Sequence, residues 1–91
     1  MSEIHLHRKH KLGIRRARAA ANKVAEDLAH EYDLSSEWNG DTLHFNRAGV
    51  KGTLQVSGND VRLDVKLGIL LSPFRHRIEH HVQQNLEQLF A

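Results

Sequence analysis

The sequence predicts an α+β two-layer domain of order β-α-β-β-β-β-α, an antiparallel meander sheet with two helices packed on one face. Three observations carry that expectation. Apolar residues recur at three- and four-residue steps from Leu12 to Tyr32 and again from Phe74 to Phe90, which is the helical period. Between those runs, period-two alternation is cut by three turn signals, at Asn39-Gly40, Arg47-Ala48-Gly49 and Ser57-Gly58-Asn59-Asp60. A chain of 91 residues has room for one hydrophobic core and not two, so residues 1–91 read as a single domain.

Glu3-Ile4-His5-Leu6-His7 alternates polar and apolar and gives the first strand, with Ile4 and Leu6 facing inward. Arg8 to Lys11 is a basic connector. The first helix runs from Leu12 to Tyr32, with Ile14, Ala17, Ala21, Val24, Ala25, Leu28 and Tyr32 as its apolar stripe. Its alanines favour helix and permit close packing against a sheet. Arg15, Arg16, Lys23, Glu26, Asp27 and His30 fall on the solvated side. Charge along this helix runs from positive at the start to negative near the end, against the macrodipole. Each such placement costs about 0.3–1 kcal/mol at most, and it suggests that the basic start serves something other than stability.

Asp33-Leu34-Ser35-Ser36 ends the helix, and Glu37-Trp38 leads into Asn39-Gly40, the dipeptide suited to positive φ at both central turn residues. Asp41 to Asn46 is the next strand, with Leu43 and Phe45 inward and Thr42, His44 and Asn46 outward. Val50, Gly52, Leu54 and Val56 then alternate inward, and the interior Gly52 implies a bulge or a close approach by the first helix. Val61, Leu63, Val65 and Leu67 form the last strand. Ser72-Pro73 reads as an N-cap followed by proline at the first helical position. Phe74, Ile78, Val82, Leu86 and Leu89 supply the second helical stripe. With both helices on the apolar face, the other face displays His5, His7, His44, Thr53, Gln55, Arg62, Asp64 and Lys66.

The chain has no Cys, which excludes disulfides, thiolate metal sites and cysteine nucleophiles. It has no apolar secretory segment at its start and no apolar run of membrane-spanning length, so a cytoplasmic location is expected. Dimerisation would add to the modest stability of a core this small, and a homodimer is compatible with the sequence. Net charge is +2, but Arg8, Lys9, Lys11, Arg15, Arg16 and Arg18 fall together with no acid among them. Such a cluster is the candidate binding surface for phosphate, nucleic acid or an anionic surface, against the ordinary alternative of a solvated helix face. No aromatic residue is interleaved with it, which disfavours base stacking and makes nucleic acid the weakest of those partners.

Eight histidines raise the question of metal. His5 and His7 share one strand face, and His44 lies on the same polar face, giving three weak candidate ligands; no recognised metal motif accompanies them, and exposed histidines are the expected reading. His76 and His80 lie one helical turn apart without a His-Glu-x-x-His context, while His81 sits closer to the apolar stripe. No nucleophile elbow, phosphate loop or dinucleotide fingerprint is present. His44 and Asp64 suggest a base and its orienter but lack a nucleophile. No cofactor and no enzymatic activity are expected.

The stretch Trp38-x-Gly40-Asp41-Thr42-Leu43-x-Phe45-x-Arg47-x-Gly49-Val50-x-Gly52-Thr53-Leu54 resembles a small bacterial family, the polyhydroxyalkanoic acid system proteins, named for genes lying near polyester granule genes. Ile4-His5-x-His7-Arg8-x-His10-x-Leu12-Gly13 and Leu63-x-Val65-Lys66-Leu67-Gly68-x-Leu70-Leu71-x-x-Phe74 look like two further blocks of that family. The resemblance covers essentially the whole chain. It implies association with polyhydroxyalkanoate granules or their regulation and carries no catalytic residues. The expectation is therefore a non-enzymatic accessory or binding protein that engages a granule, a granule protein or an acyl ligand. The alternatives are a small acyl- or lipid-binding domain of helix-grip type and, further behind, a nucleic-acid binder using the basic helix start.

Overall fold

A computed structural model of the chain describes residues 2–90. Its elements are β1 (Ser2–Lys9), α1 (Gly13–Tyr32), β2 (Ser35–Asn39), β3 (Thr42–Arg47), β4 (Val50–Val56), β5 (Asp60–Leu67), a 3₁₀ segment (Ile69–Phe74) and α2 (Arg75–Leu89). The five strands form one antiparallel sheet in the order β1-β5-β4-β3-β2. Strands β2 to β5 follow one another as hairpins, and β1 closes the sheet against β5. The α+β class and the element order are those the sequence predicts.

A helix of 20 residues is about 30 Å long, enough to carry the chain from the β1 edge across the sheet to the β2 edge. Helix α1 packs against β4 and β2, and α2 against β1 and α1, so the two helices form one layer. The strands answer with strict alternation: Leu43 and Phe45 on β3, Val50, Gly52, Leu54 and Val56 on β4, and Val61, Leu63, Val65 and Leu67 on β5 are buried. Ala17, Ala20, Ala21, Val24, Ala25 and Leu28 meet them from α1, and Val82, Leu86 and Phe90 from the α2 end. Because alanine carries only a methyl group, α1 can lie close to the sheet while longer side chains project from below.

Several local expectations change. Ile14 is 39% exposed rather than part of the buried stripe, because it lies in the first turn, ahead of Ala17, the first α1 residue to reach the core. Gly13, next to it, has φ +77°, a conformation that glycine adopts without a Cβ penalty. Strand β2 begins at Ser35, inside the expected break, and Asn39 pairs with Thr42, leaving Gly40 and Asp41 as the turn. Gly40 has φ +64°, whereas Asn39 and Asp41 are not at positive φ, so the φ pattern suits a II′ turn rather than one with two positive centres.

Gly52 sits in unbroken register with Phe45 and Val65, so no bulge occurs there. The close approach comes from neighbouring strands: an added Cβ would lie 3.1 Å from Val65 Cγ2 and 3.2 Å from the Asp64 carbonyl oxygen. Finally, the Ser72-Pro73 pair does not open α2. It lies within the 3₁₀ segment, with Phe74 at the N-cap position of α2.

Candidate functional site

The six bases of the expected binding surface are split by the fold. Arg8 falls on the inward face of β1, in line with Ile4 and Leu6, and its buried Nε has no hydrogen-bond partner. Lys9 alternates to the opposite face, and Lys11 lies in the connector. Arg15 and Arg16 are exposed on the first turns of α1. Arg18 is engaged elsewhere: its Nη1 donates to Asp41 Oδ1 at 3.0 Å, and its guanidinium lies 4.4 Å from the Trp38 ring centroid. Trp38 Nε1 in turn donates to Asn22 Oδ1 at 2.8 Å. Arg18 therefore fastens the β2–β3 turn to α1, and only Lys9, Lys11, Arg15 and Arg16 remain exposed.

The open sheet face is polar in every row. In one row His5 stands opposite Asp64, Asp64 opposite Thr53, Thr53 opposite His44, and His44 opposite Glu37. His5 Nδ1 donates to Asp64 Oδ1 at 2.6 Å, and its Nε2 lies 3.5 Å from Glu3 Oε2. The Asp64 hydrogen bond, reinforced by Glu3 and opposed by desolvation, raises the His5 pKa above its ordinary 6.5. His7 Nε2 donates to Asp60 Oδ2 at 2.8 Å. The Ser57 hydroxyl, which also donates to the Asp60 carboxylate, is the larger cause of a depressed Asp60 pKa, and His7 adds to it.

The three candidate metal ligands do not converge. His44 stands three strands from His5, about 14 Å at the usual strand spacing, and His5 and His7 each bond a different carboxylate. Among the described residues no group of three or more His, Asp or Glu side chains is arranged to hold a metal ion. The imagined His44–Asp64 pair is also not formed, since Asp64 bonds His5 and Thr53 intervenes. The row lies along a shallow trough of about 610 Å³ that also takes in Ser35, Asn46, Lys51 and Lys66.

His10, part of the first family-like block, is buried. Its backbone N–H donates to Asn59 O at 2.9 Å, its Nε2 to Ser57 O at 3.1 Å, and its Nδ1 accepts from the Leu12 N–H at 3.1 Å. The ring lies 5.6 Å from that of Phe90. This histidine ties the β1–α1 junction to the β4–β5 turn and to the end of α2, a structural duty. On α2, His76 and His80 are exposed, and the half-buried His81 meets Tyr32 edge-on at 5.8 Å.

The surface that sequence reasoning missed is apolar. Ile69 is 77% exposed, Leu70 89% and Phe74 48%, all within the 3₁₀ segment. Gly68 holds this segment down, its N–H donating to Gly49 O at 2.8 Å while its own carbonyl accepts from the N–H groups of Leu71 and Ser72 at 3.1 Å. Leu71 turns inward, onto the core and over Gly49. With three residues per turn, seating Leu71 turns Ile69 and Leu70 outward. The signal was present in the run Gly68-Ile69-Leu70-Leu71, since three consecutive apolar residues in one tight turn cannot all face the same core.

Behind Leu71 lies a partly enclosed cavity of about 60 Å³ between the sheet and the helices. Tyr32 and Arg47 stand at its wall, with Arg47 Nη1 donating to Tyr32 O at 2.6 Å. Partial burial, and secondarily Glu31, raises the Tyr32 pKa above its ordinary 10.0. No helix among the described residues is long and apolar enough to cross a membrane.

Residues 4–90 match the sequence model of the family described as "Putative polyhydroxyalkanoic acid system protein". The chain matches no curated protein.

Proposed function

The chain belongs to the polyhydroxyalkanoic acid system protein family, which links it to the polyester system, and from that premise we propose that it is a non-enzymatic accessory protein docking on the granule surface. The observation that carries this reading is the ledge of Ile69, Leu70 and Phe74. Isoleucine and leucine at 77% and 89% exposure leave apolar area in water that a polyester surface would cover. Burying one such side chain is worth about 1.5–3 kcal/mol, so two or three acting together give a useful surface affinity without a deep pocket. The ledge is held by backbone hydrogen bonds to Gly49 and within its own turn, so docking orders little additional chain. Arg77 and His76 follow it on exposed positions of α2 and would meet any anionic groups at the same surface. The protein acts in the cytoplasm in this reading, where such granules would be met.

Co-sedimentation with isolated polyhydroxyalkanoate granules tests the proposal. The wild-type protein is expected to enrich in the granule fraction over a charge-matched control, and the double variant Ile69→Ser, Leu70→Ser to lose most of that enrichment while keeping its fold. Equal recovery of wild type and control would overturn the reading. Undiminished binding by the double variant would move the contact away from the ledge.

A further inference from the structure

We infer that the cavity behind Leu71 is a binding site for a short alkyl group, of the size of the branch on a hydroxyalkanoate unit. The identification of that source rests on the granule reading; the fit to an alkyl group does not.

The cavity's size and lining select the ligand. At about 60 Å³ it exceeds the space a water molecule needs, yet its wall is formed by Leu28, Phe45, Val50, Leu67, Leu71 and Ile78 among others. A buried water requires two to four polar partners, and a void without them stays dry and accepts small apolar guests. The guanidinium at the wall is already directed to the Tyr32 carbonyl. The same volume is too small for a long acyl chain, so the site selects a group of a few carbons. This is narrower than the lipid-sized ligand of a helix-grip domain.

Access and location point the same way. Leu71 belongs to the 3₁₀ segment that exposes Ile69 and Leu70, so the inner wall of the cavity and the outer ledge are two sides of one turn. A rotation of the Leu71 side chain would connect them. A surface that docks on the ledge is thereby placed on the turn whose Leu71 lines the cavity, and an alkyl branch projecting from that surface can enter once Leu71 rotates aside.

Methyl-resolved NMR of the full chain, titrated with xenon and with methyl butyrate, tests the site. Saturable shifts are expected at the methyl groups of Val50, Leu71 and Ile78, with little change at Leu70. Val50→Leu, which fills the void, should abolish them. Leu71→Ala, which widens it, should strengthen binding of the ester and keeps the test decisive if the filled variant does not fold. Shifts that are absent, or that persist equally in Val50→Leu, overturn the inference. The two readings fail separately: absent methyl shifts with intact granule co-sedimentation remove the cavity site alone, whereas methyl shifts without co-sedimentation remove the granule reading and leave the alkyl site.

Discussion

The guanidinium of Arg18 lies 4.4 Å from the ring centroid of Trp38, the only tryptophan of the chain. The same arginine bonds Asp41, and the indole bonds Asn22, so an edge strand, a turn and the long helix meet at one node. Among the described residues strand β2 pairs with β3 alone, which makes this side-chain attachment a further support for it.

Removing Arg18 should therefore cost more than removing its neighbours. An exposed cation–π contact contributes about 0.5–1 kcal/mol and a surface ion pair about 0.2–1 kcal/mol, so Arg18→Ala is expected to destabilise by about 1 kcal/mol. Arg15→Ala and Arg16→Ala should stay within about 0.5 kcal/mol of wild type. Urea unfolding followed by Trp38 fluorescence measures all three, and equal effects would contradict the assigned node.

His10→Ala should be among the most damaging single changes outside the apolar core. It leaves the Ser57 carbonyl and the Leu12 N–H without their partner and opens a gap beside Phe90. The expected loss is about 2–4 kcal/mol from unsatisfied groups together with lost packing. His76→Ala, on the exposed side of α2, should change stability by less than about 0.5 kcal/mol, and thermal unfolding distinguishes them.

The glycines divide by what surrounds them. Gly52→Ala meets Val65 and the Asp64 backbone at 3.1 and 3.2 Å and should cost about 1–3 kcal/mol through overpacking. Gly58→Ala meets nothing within 4 Å and lies outside the positive-φ region, so it should be neutral or stabilising by about 0.4–1 kcal/mol. The denaturant midpoint should fall for Gly52→Ala and hold or rise for Gly58→Ala.

The open face should make stability respond to pH in two windows. With its folded pKa raised, protonated His5 contributes stability that is fully present below about pH 6.5 and is lost as pH rises through the higher folded value. Asp60 has the opposite sign: its contribution is present above about pH 3.8 and is lost as pH falls through its lower folded value. Imidazole NMR titration should give His5 a midpoint above 6.5, and Asp64→Asn should bring it back towards that value. An unchanged midpoint in Asp64→Asn would show that another group sets it.

The sheet was legible because Val61-x-Leu63-x-Val65-x-Leu67 and its neighbours alternate cleanly, and alternation fixes both strand and face. The helices were legible for the same reason at their own period. What could not be read was where residues separated by many positions come to rest. Arg18 looks like one more member of a basic run until Trp38 and Asp41 are brought over it, and Arg8 looks exposed until the pleat turns it inward. His10 gives no local sign that Ser57 and Phe90 will enclose it. The ledge was missed for a different reason: apolar residues are assigned to a core by default, and Ile69 and Leu70 break that default.

The pairing of β1 with β5 has a kinetic consequence. His5 and Asp64 are 59 positions apart, whereas β3, β4 and β5 are joined by tight turns. Chain-closure entropy makes the local hairpins quick to form and leaves the first strand to arrive last. During synthesis β1 must wait, unpaired, until β5 has emerged, and in the native protein its amides should be among the first of the sheet to exchange with solvent. The strand made first is the one that finishes the sheet.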